Sequence, residues 1–482
     1  MRILLSWDDR CSPNIINLIS ELKKHSIEII YRIGTIHKER EKFPEVIFHN
    51  HYEARIAKPA ENVDTSKFFP VGADLIKELY ETESMVLTMM TRDCSKISLD
   101  ERKHLYYDLL QYWQGVIKEY KPDAIVFLGI PHGSNDYTLY SLAKIFNIKT
   151  LMFEEIWAYD RLLIYNDFKE GSVALKKELE KNEGKNFSLN DLEPELRDYY
   201  LSHINKNVTK KYYDIYSQYV NNKKEQFSGW NLFIHKLKVL KKNLKNAAIL
   251  NLIMQYVAKQ LKLKENAQEE YRKLQIKPDL NKKFIYVALH AQPERSTMPQ
   301  GFMFADQILM IEILAASLPP QWVIYVKEHP VVWYSQGANY SSYRYPGYYK
   351  KITALKNVFL VSVETNTYDL INQSQAVTTV AGTASWEALL RSKPALIFGY
   401  PWYRDCSQVF KVNDVKSCQA AFKKIVNDFQ VNQREIINYL KSLSSVSICG
   451  YMDRETYQPK FSEQENLNNI VKAITNELMD NH

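Results

Sequence analysis

The sequence is poor in the features that commit a chain of 482 residues to membranes, secretion or structural metal. Its five cysteines, Cys11, Cys94, Cys406, Cys418 and Cys449, are scattered, odd in number and never spaced CxxC. That pattern argues against a disulfide framework or a structural zinc site, and for a reducing compartment. No apolar run reaches the roughly 20 residues that cross a bilayer. The longest candidate, AAILNLIMQYVA at 247–258, is interrupted by Asn251 and Gln255. The opening MRILLSWDDR reads as too short and too acidic for a signal peptide, so a cytoplasmic protein is expected. Aromatic-plus-basic runs suited to single-stranded nucleic acid are missing, and nucleic acid is not an expected partner. There is no P-loop and no GxSxG, and GIPHGSND has too few glycines for a dinucleotide fingerprint. No repeat beyond two α/β halves and no low-complexity tract occurs.

What is present is an ordinary globular composition, 45% hydrophobic and 25% charged, with a net charge of +7. The charge fits an anionic ligand or a membrane surface without demanding either. The length predicts two domains. MRILLS reads as a first buried strand, followed by a helix in SPNIINLISELKKHS and a strand in IEIIYRIG. A further unit runs from the strand Ala124–Leu128 through a turn at Gly129–Asp136 and a helix to Phe146, then the strand KTLMFEE. This alternation predicts an α/β layer with a parallel sheet. Residues 160–275 are richer in lysine, glutamate and asparagine and read as mostly helical. From Trp230 to Lys264 there are eight lysines and no acidic residue, interleaved with apolar residues. A basic amphipathic helix pair at 236–264 makes an anionic membrane surface a candidate partner; a solvated helical face is the plainer alternative.

Regular alternation resumes at Phe284: strand KFIYVALH, helix FADQILMIEILAASLP, then the strands QWVIYVKEHP, NVFLVS, AVTTV and ALIFG with helices between them. This predicts a second doubly wound domain, with a last helix near Glu463–Leu478 packing back. The expected domains are 1–275, with a helical insertion at about 160–275, and 276–482.

Ligands of open α/β sheets bind beyond the carboxyl ends of the strands. In the first half those ends carry His132, Asn135, Asp136, Glu154 and Glu155. In the second they carry His290, Gln292, Glu294, Arg295, Ser296 and Thr297, then Lys327, Glu328, His329 and Pro330, then Ser362, Glu364 and Thr365, then Gly382, Thr383 and Ser385. Four neighbouring strand ends delivering polar groups to one rim predict a single site. In VAGTASWEALL, the start of a helix offers free N–H groups and the positive end of its dipole to a phosphate. The simpler reading is that Thr383 or Ser385 is an N-cap. Glu387, one turn on, is placed to accept from ribose hydroxyls. Pro330 restricts His329 to extended backbone and holds its ring at a strand end. Glu294 is the candidate base or nucleophile at an anomeric carbon, with an ion pair to Arg295 as the structural alternative. Asp8 and Asp9 in WDD are poor metal ligands, since adjacent side chains diverge.

YVALHAQPERST, VKEHP and AGTASWEALLRSKPALIFGYPWY together resemble the capsule-polysaccharide and surface-carbohydrate biosynthesis family, GT-B glycosyltransferases related to the bacterial Kdo transferases. DAIVFLGIPHGSNDYTLYSLAKIFNIKT is similar to its N-domain block. The resemblance implies two Rossmann-like domains facing a cleft, and transfer of Kdo or a related nonulosonic acid from a CMP-activated donor to a glycan acceptor. It places His329–Pro330 at the cytidine nucleotide, Gly382, Thr383 and Ser385 at the donor phosphate, Glu387 at the acidic helix position and Gln292–Pro293–Glu294 near the sugar. Ser385 stands where many relatives have glycine.

The resulting expectation is a glycosyltransferase needing neither metal nor cofactor beyond its nucleotide-sugar substrate, with Glu294 and His329 catalytic. Gln292, Arg295, Ser296, Lys327, Pro330, Gly382, Thr383, Ser385 and Glu387 hold the donor, and His132, Asn135, Asp136, Glu154 and Glu155 lie on the acceptor side. It would work in the cytoplasm, peripheral to the inner face of the membrane. The alternatives are a nucleotide-sugar epimerase of the same fold and a non-catalytic scaffold or export partner of a capsule complex.

Overall fold

The computed structural model describes residues 1–8, 11, 13–93, 97–156, 160–204, 267–329, 332, 344–452 and 461–479. The chain divides into two units. The first comprises Met1–Tyr199, Met298–Gln300 and Ile437–His482, and the second Tyr200–Thr297 and Gly301–Ile436.

The first unit is built on β1 (Arg2–Ser6), β2 (Glu28–Gly34), β3 (Ile47–Asn50), β4 (Ala124–Phe127), β5 (Lys149–Ile156), β6 (Arg161–Tyr165) and a late strand, β14 (Ile448–Cys449). Their order is β14-β6-β5-β4-β1-β2-β3. The five strands from β3 to β5 are parallel; β6 and β14 are antiparallel to their neighbours. RLLIY at β6, inside the stretch read as helical, is therefore a strand. Around this sheet lie α1 (Ile15–Lys24), α2 (Leu99–Tyr120) and α3 (Ser134–Ile145). Alternate residues of β1, Ile3 and Leu5, share one core with Leu18 and Leu22 of α1. Leu467, Ile470 and Ile474 of the last helix, Glu463–Met479, enter the same core. Their spacing puts them on one helix face, so the C-terminal helix completes the first unit.

The second unit has seven strands: β7 (Gln275–Ile276), β8 (Phe284–Ala288), β9 (Val323–Lys327), β10 (Val358–Val361), β11 (Ala376–Thr379), β12 (Ala395–Ile397) and β13 (Val409–Lys411). They run in the order β13-β12-β11-β8-β9-β10-β7, all parallel. Both faces are covered, as a parallel sheet requires. Ile285 and Val287 pack with Ile308 and Ile311 of α4 (Gln307–Ser317), whereas Phe284 and Tyr286 pack with Leu370 and Ile371 of α5 (Thr367–Gln373). Leu318, at the end of α4, takes extended backbone, φ −63° and ψ 128°, ahead of Pro319. Further helices include α6 (Thr383–Leu390), α7 (Val415–Val426) and α8 (Gln433–Val446), with α9 as Glu463–Met479.

The boundary expected at 275 shifts in both directions. Tyr271 is buried in the core of the second unit, so the segment before β7 belongs there. The return to the first unit begins at Ile437, ahead of the last helix. The lysine-rich stretch 236–264 lies outside the described residues.

Candidate functional site in the second unit

In a sheet ordered this way the chain leaves β8 toward one edge and returns at β11 on the other side of it. The crevice between those two strand ends is the topological switch point. The loop after β8 and the turn after β11 meet there. Gly382 precedes α6 with φ −88° and ψ 168°, backbone open to any residue. Its need for glycine comes from a neighbour. A Cβ added at Gly382 would lie 2.0 Å from Cε1 of His290 and 2.9 Å from its Nε2, so the imidazole occupies the space a side chain would take.

His290 is held by its backbone. Its N–H donates to Gln307 Oε1 at 2.8 Å, and its carbonyl accepts from Gln307 Nε2 at 2.9 Å and from Arg344 Nη2 at 2.8 Å. Its ring Nε2 is buried with no hydrogen-bond partner, and Oε1 of Gln292, two residues on, is in the same state. Leaving a buried polar group unmet costs about 1–3 kcal/mol. Two such atoms in one loop call for a partner, an ordered water or a ligand. Burial, with His329 and Arg344 adding to it, lowers the His290 pKa to about 3, so the ring is neutral at pH 7. His329 is likewise lowered to about 4, chiefly by burial; Glu328 pulls it up, and Lys327 and Arg344 push it down.

Behind the histidines is a filled buried cluster. Glu328 accepts from Arg344 Nε at 2.7 Å and Nη2 at 3.0 Å, from Tyr349 OH at 2.7 Å and from the His329 N–H at 2.7 Å. The loop of Gln292, Glu294, Arg295 and Ser296 is closed by Thr297, whose Oγ1 accepts from the Glu294 N–H at 3.1 Å and donates to its carbonyl at 2.9 Å.

The structure answers the choice between a capped helix and an open one. Gly382 gives α6 no side-chain cap. Thr383 Oγ1 points on to Glu387 Oε1, at 3.3 Å. Glu387 is raised to about 7, mainly by burial, against the Thr383 bond and Arg391, which lower it. Ser385 is a correction. Its hydroxyl donates to Leu396 O at 3.1 Å and accepts from Thr379 Oγ1 at 3.0 Å, fully buried, so it ties α6 to the sheet and has no proton left for a phosphate. Lys327 is a second correction. Strand alternation puts it on the sheet face covered by α5. There Nζ donates to Thr365 O at 2.5 Å and Thr367 Oγ1 at 2.8 Å, and burial lowers its pKa to about 8. Pro330 lies outside the described residues.

In the first unit, β1 and β4 flank the equivalent switch point. Ser6 Oγ donates to Asp136 Oδ1 at 2.9 Å, and Asn135, fully buried, donates to the same oxygen at 3.0 Å. His132 is exposed, its Nδ1 2.9 Å from Ile130 O. Glu154 and Glu155 do not act together, because neighbours on a strand face opposite ways. Glu154 accepts from Gln300 Nε2 at 3.3 Å, while Glu155 accepts from the Met452 N–H at 3.0 Å and so fixes the returning chain.

Sequence reasoning placed His290 at a strand end but gave it no role. Its signal was position: it stands one residue ahead of QPER, just past the end of the central strand. Arg344 had no signal, since only the fold brings it back to that loop. Among the described residues no group of three or more His, Cys, Asp or Glu is placed to hold a metal. No helix among them is long and apolar enough to cross a membrane.

The fold is α/β, two Rossmann-like units with the chain end returning to the first. Residues 203–406 match the family model described as capsule polysaccharide biosynthesis protein. No curated protein matches the chain. Among solved structures it is similar to two KpsC domains of Thermosulfurimonas dismutans. The β-Kdo 2,7-transferase is 12% identical, with 76% of this chain and 89% of that one covered and a TM-score of 0.32. The β-Kdo 2,4-transferase is 13% identical, with 73% and 87% covered and a TM-score of 0.34. UDP-GlcNAc 2-epimerase from Neisseria meningitidis is 14% identical over all of both chains, with a TM-score of 0.25. At such scores these likenesses carry no argument about function.

Proposed function

We propose that this chain is a glycosyltransferase of capsule polysaccharide assembly. It moves an acidic 2-keto sugar, Kdo or a related nonulosonic acid, from a CMP-activated donor to a surface glycan without a metal. The observation that carries the reading is the switch point of the second unit. There the uncapped start of α6, the unmet Nε2 of His290 and Oε1 of Gln292, and Glu387 one turn into α6 offer contacts for phosphate, polar sugar atoms and ribose.

In this reading the N–H groups at the start of α6 and the helix dipole face the phosphate. Neutral His329 donates a hydrogen bond to the leaving nucleotide. Arg295 and Ser296 lie on the loop beside the sugar, and Thr383 stands at the helix start. CMP carries one phosphate, which needs fewer countercharges than a diphosphate. The bond from the anomeric carbon to the phosphate oxygen breaks, its electron pair stays on the phosphate, and the acceptor oxygen takes its place. Glu294 serves as the carboxylate of this step. As base it takes the acceptor proton; as nucleophile it forms a glycosyl-enzyme that the acceptor then displaces. Asp136 is the acceptor-side reserve. The basic stretch 236–264 offers contact with anionic lipid.

The test is a thermal-shift screen of the full chain against CMP, UDP, GDP and their sugars. A ligand that binds the folded state raises the unfolding midpoint by linkage. Stabilisation by CMP alone, followed by acceptor-dependent release of CMP from its sugar, is the expected result. Turnover of a UDP-sugar without acceptor indicates the epimerase. Lack of any nucleotide shift favours the scaffold.

A further inference from the structure

The glycine before α6 has two competing explanations: it clears room for a phosphate to approach the backbone, or it clears room for a side chain. The geometry favours the second. The space a Cβ would enter at Gly382 is filled by the His290 ring, with Cε1 at 2.0 Å, Nε2 at 2.9 Å and Nδ1 at 3.1 Å from the added atom. The ring is brought there by its backbone, which Gln307 and Arg344 hold with three hydrogen bonds. Arg344 is in turn fixed by both oxygens of Glu328. What this arrangement delivers to the start of α6 is Nε2, buried and without a partner.

We propose that His290 is the side chain that meets the donor's phosphate, that Gly382 is glycine to seat its ring, and that Gln307 and Arg344 are positioning residues acting through its backbone. The assignment rests on the reading of this crevice as the donor site. In the tautomer carrying hydrogen on Nε2, the ring donates to a phosphate oxygen and keeps its proton while the electron pair of the broken sugar–oxygen bond stays on the phosphate. Its neutrality at pH 7 suits a donor that binds the anion without needing a buried countercharge.

The test is a double-mutant cycle on the full chain, reading the affinities of CMP, cytidine and inorganic phosphate by calorimetry. H290A is expected to weaken CMP and phosphate at least tenfold while cytidine changes less than twofold. G382A is expected to give the same loss, and H290A/G382A no more than either alone, since the clash disappears with the ring. Q307A is expected to weaken CMP in the wild-type background and to have no further effect in H290A; a merely structural role would act in both. Wild-type CMP affinity in H290A overturns the assignment, as do additive losses from H290A and G382A, which would give the glycine to the phosphate itself. If G382A does not fold, H290Q decides, because it keeps an N–H. Recovery of CMP binding supports the assignment, and a loss equal to H290A overturns it. If the wild type binds phosphate but neither CMP nor cytidine, the CMP reading fails and the phosphate cycle still judges His290. If it binds neither CMP nor phosphate, both fall.

Discussion

Thr383 and Glu387 are joined across the first turn of α6, the threonine hydroxyl donating to the carboxylate at 3.3 Å. The bond pulls the Glu387 pKa down and burial pushes it up harder, to about 7. A carboxyl raised in the folded state lends stability that is complete below its ordinary value of 4.5 and is lost as pH climbs through about 7. In the proposed donor site ribose hydroxyls reverse this preference locally, because they donate to the ionised form. Cytidine, which has no phosphate of its own to titrate, should therefore bind more tightly as pH rises from 6 to 8, by about tenfold at most. E387Q should flatten the profile. Calorimetry at the two pH values checks this; tighter binding at the lower pH removes Glu387 from the ribose.

Ser385 holds α6 to the sheet through Thr379 and Leu396. S385A removes both bonds, although the Thr379 hydroxyl keeps the Gly382 carbonyl at 3.3 Å, and should cost about 1–3 kcal/mol in urea unfolding. CMP affinity should stay within about twofold, as the hydroxyl has no donor to give. A loss of affinity without a loss of stability would return Ser385 to the binding surface.

In the proposed transfer Glu294 and His329 carry the chemistry. E294Q and H329A should each lower the transfer rate by at least about 100-fold, with unfolding midpoints close to that of the wild type. Full activity in either purified variant removes that residue from the mechanism.

Glu328 and Arg344 form a buried ion pair, 0% and 1% exposed in their side chains. Removing one partner leaves an unmatched charge, so E328Q or R344M alone should cost about 3–5 kcal/mol. The double variant should cost less than the sum, read from denaturant midpoints across the cycle. Additive costs would mean that the two charges do not depend on each other.

Much of this architecture was legible in the residues. The short apolar runs at Arg2–Ser6, Phe284–Ala288 and Val323–Lys327 are strands, because a run bounded by turn residues has little else to become. β11, β8, β9 and β10 are contiguous in the sheet, so four polar strand ends do lie along one edge. What the residues did not disclose is which way each polar side chain leaves that edge. Lys327 and Glu328 follow one another, and pleating sends them to opposite faces, the lysine under α5 and the glutamate to Arg344 and Tyr349. The pair Glu154 and Glu155 separates for the same reason. β13 and β14 are too short to show a period, and β14 exists only because a strand 283 or more residues earlier in the chain offers its edge. The contact between His290 and Gly382 joins two loops that only the β8–β11 pairing brings side by side.

The closure of the first sheet by β14 and of its core by Leu467, Ile470 and Ile474 sets an order of events during synthesis. The second unit, ending at Ile436, is wholly translated before the first has its last pieces. An N-terminal half emerging from the ribosome keeps an apolar face open until the final helix arrives, and a ribosome that stops short of Glu463 releases a chain whose later half is the better folded.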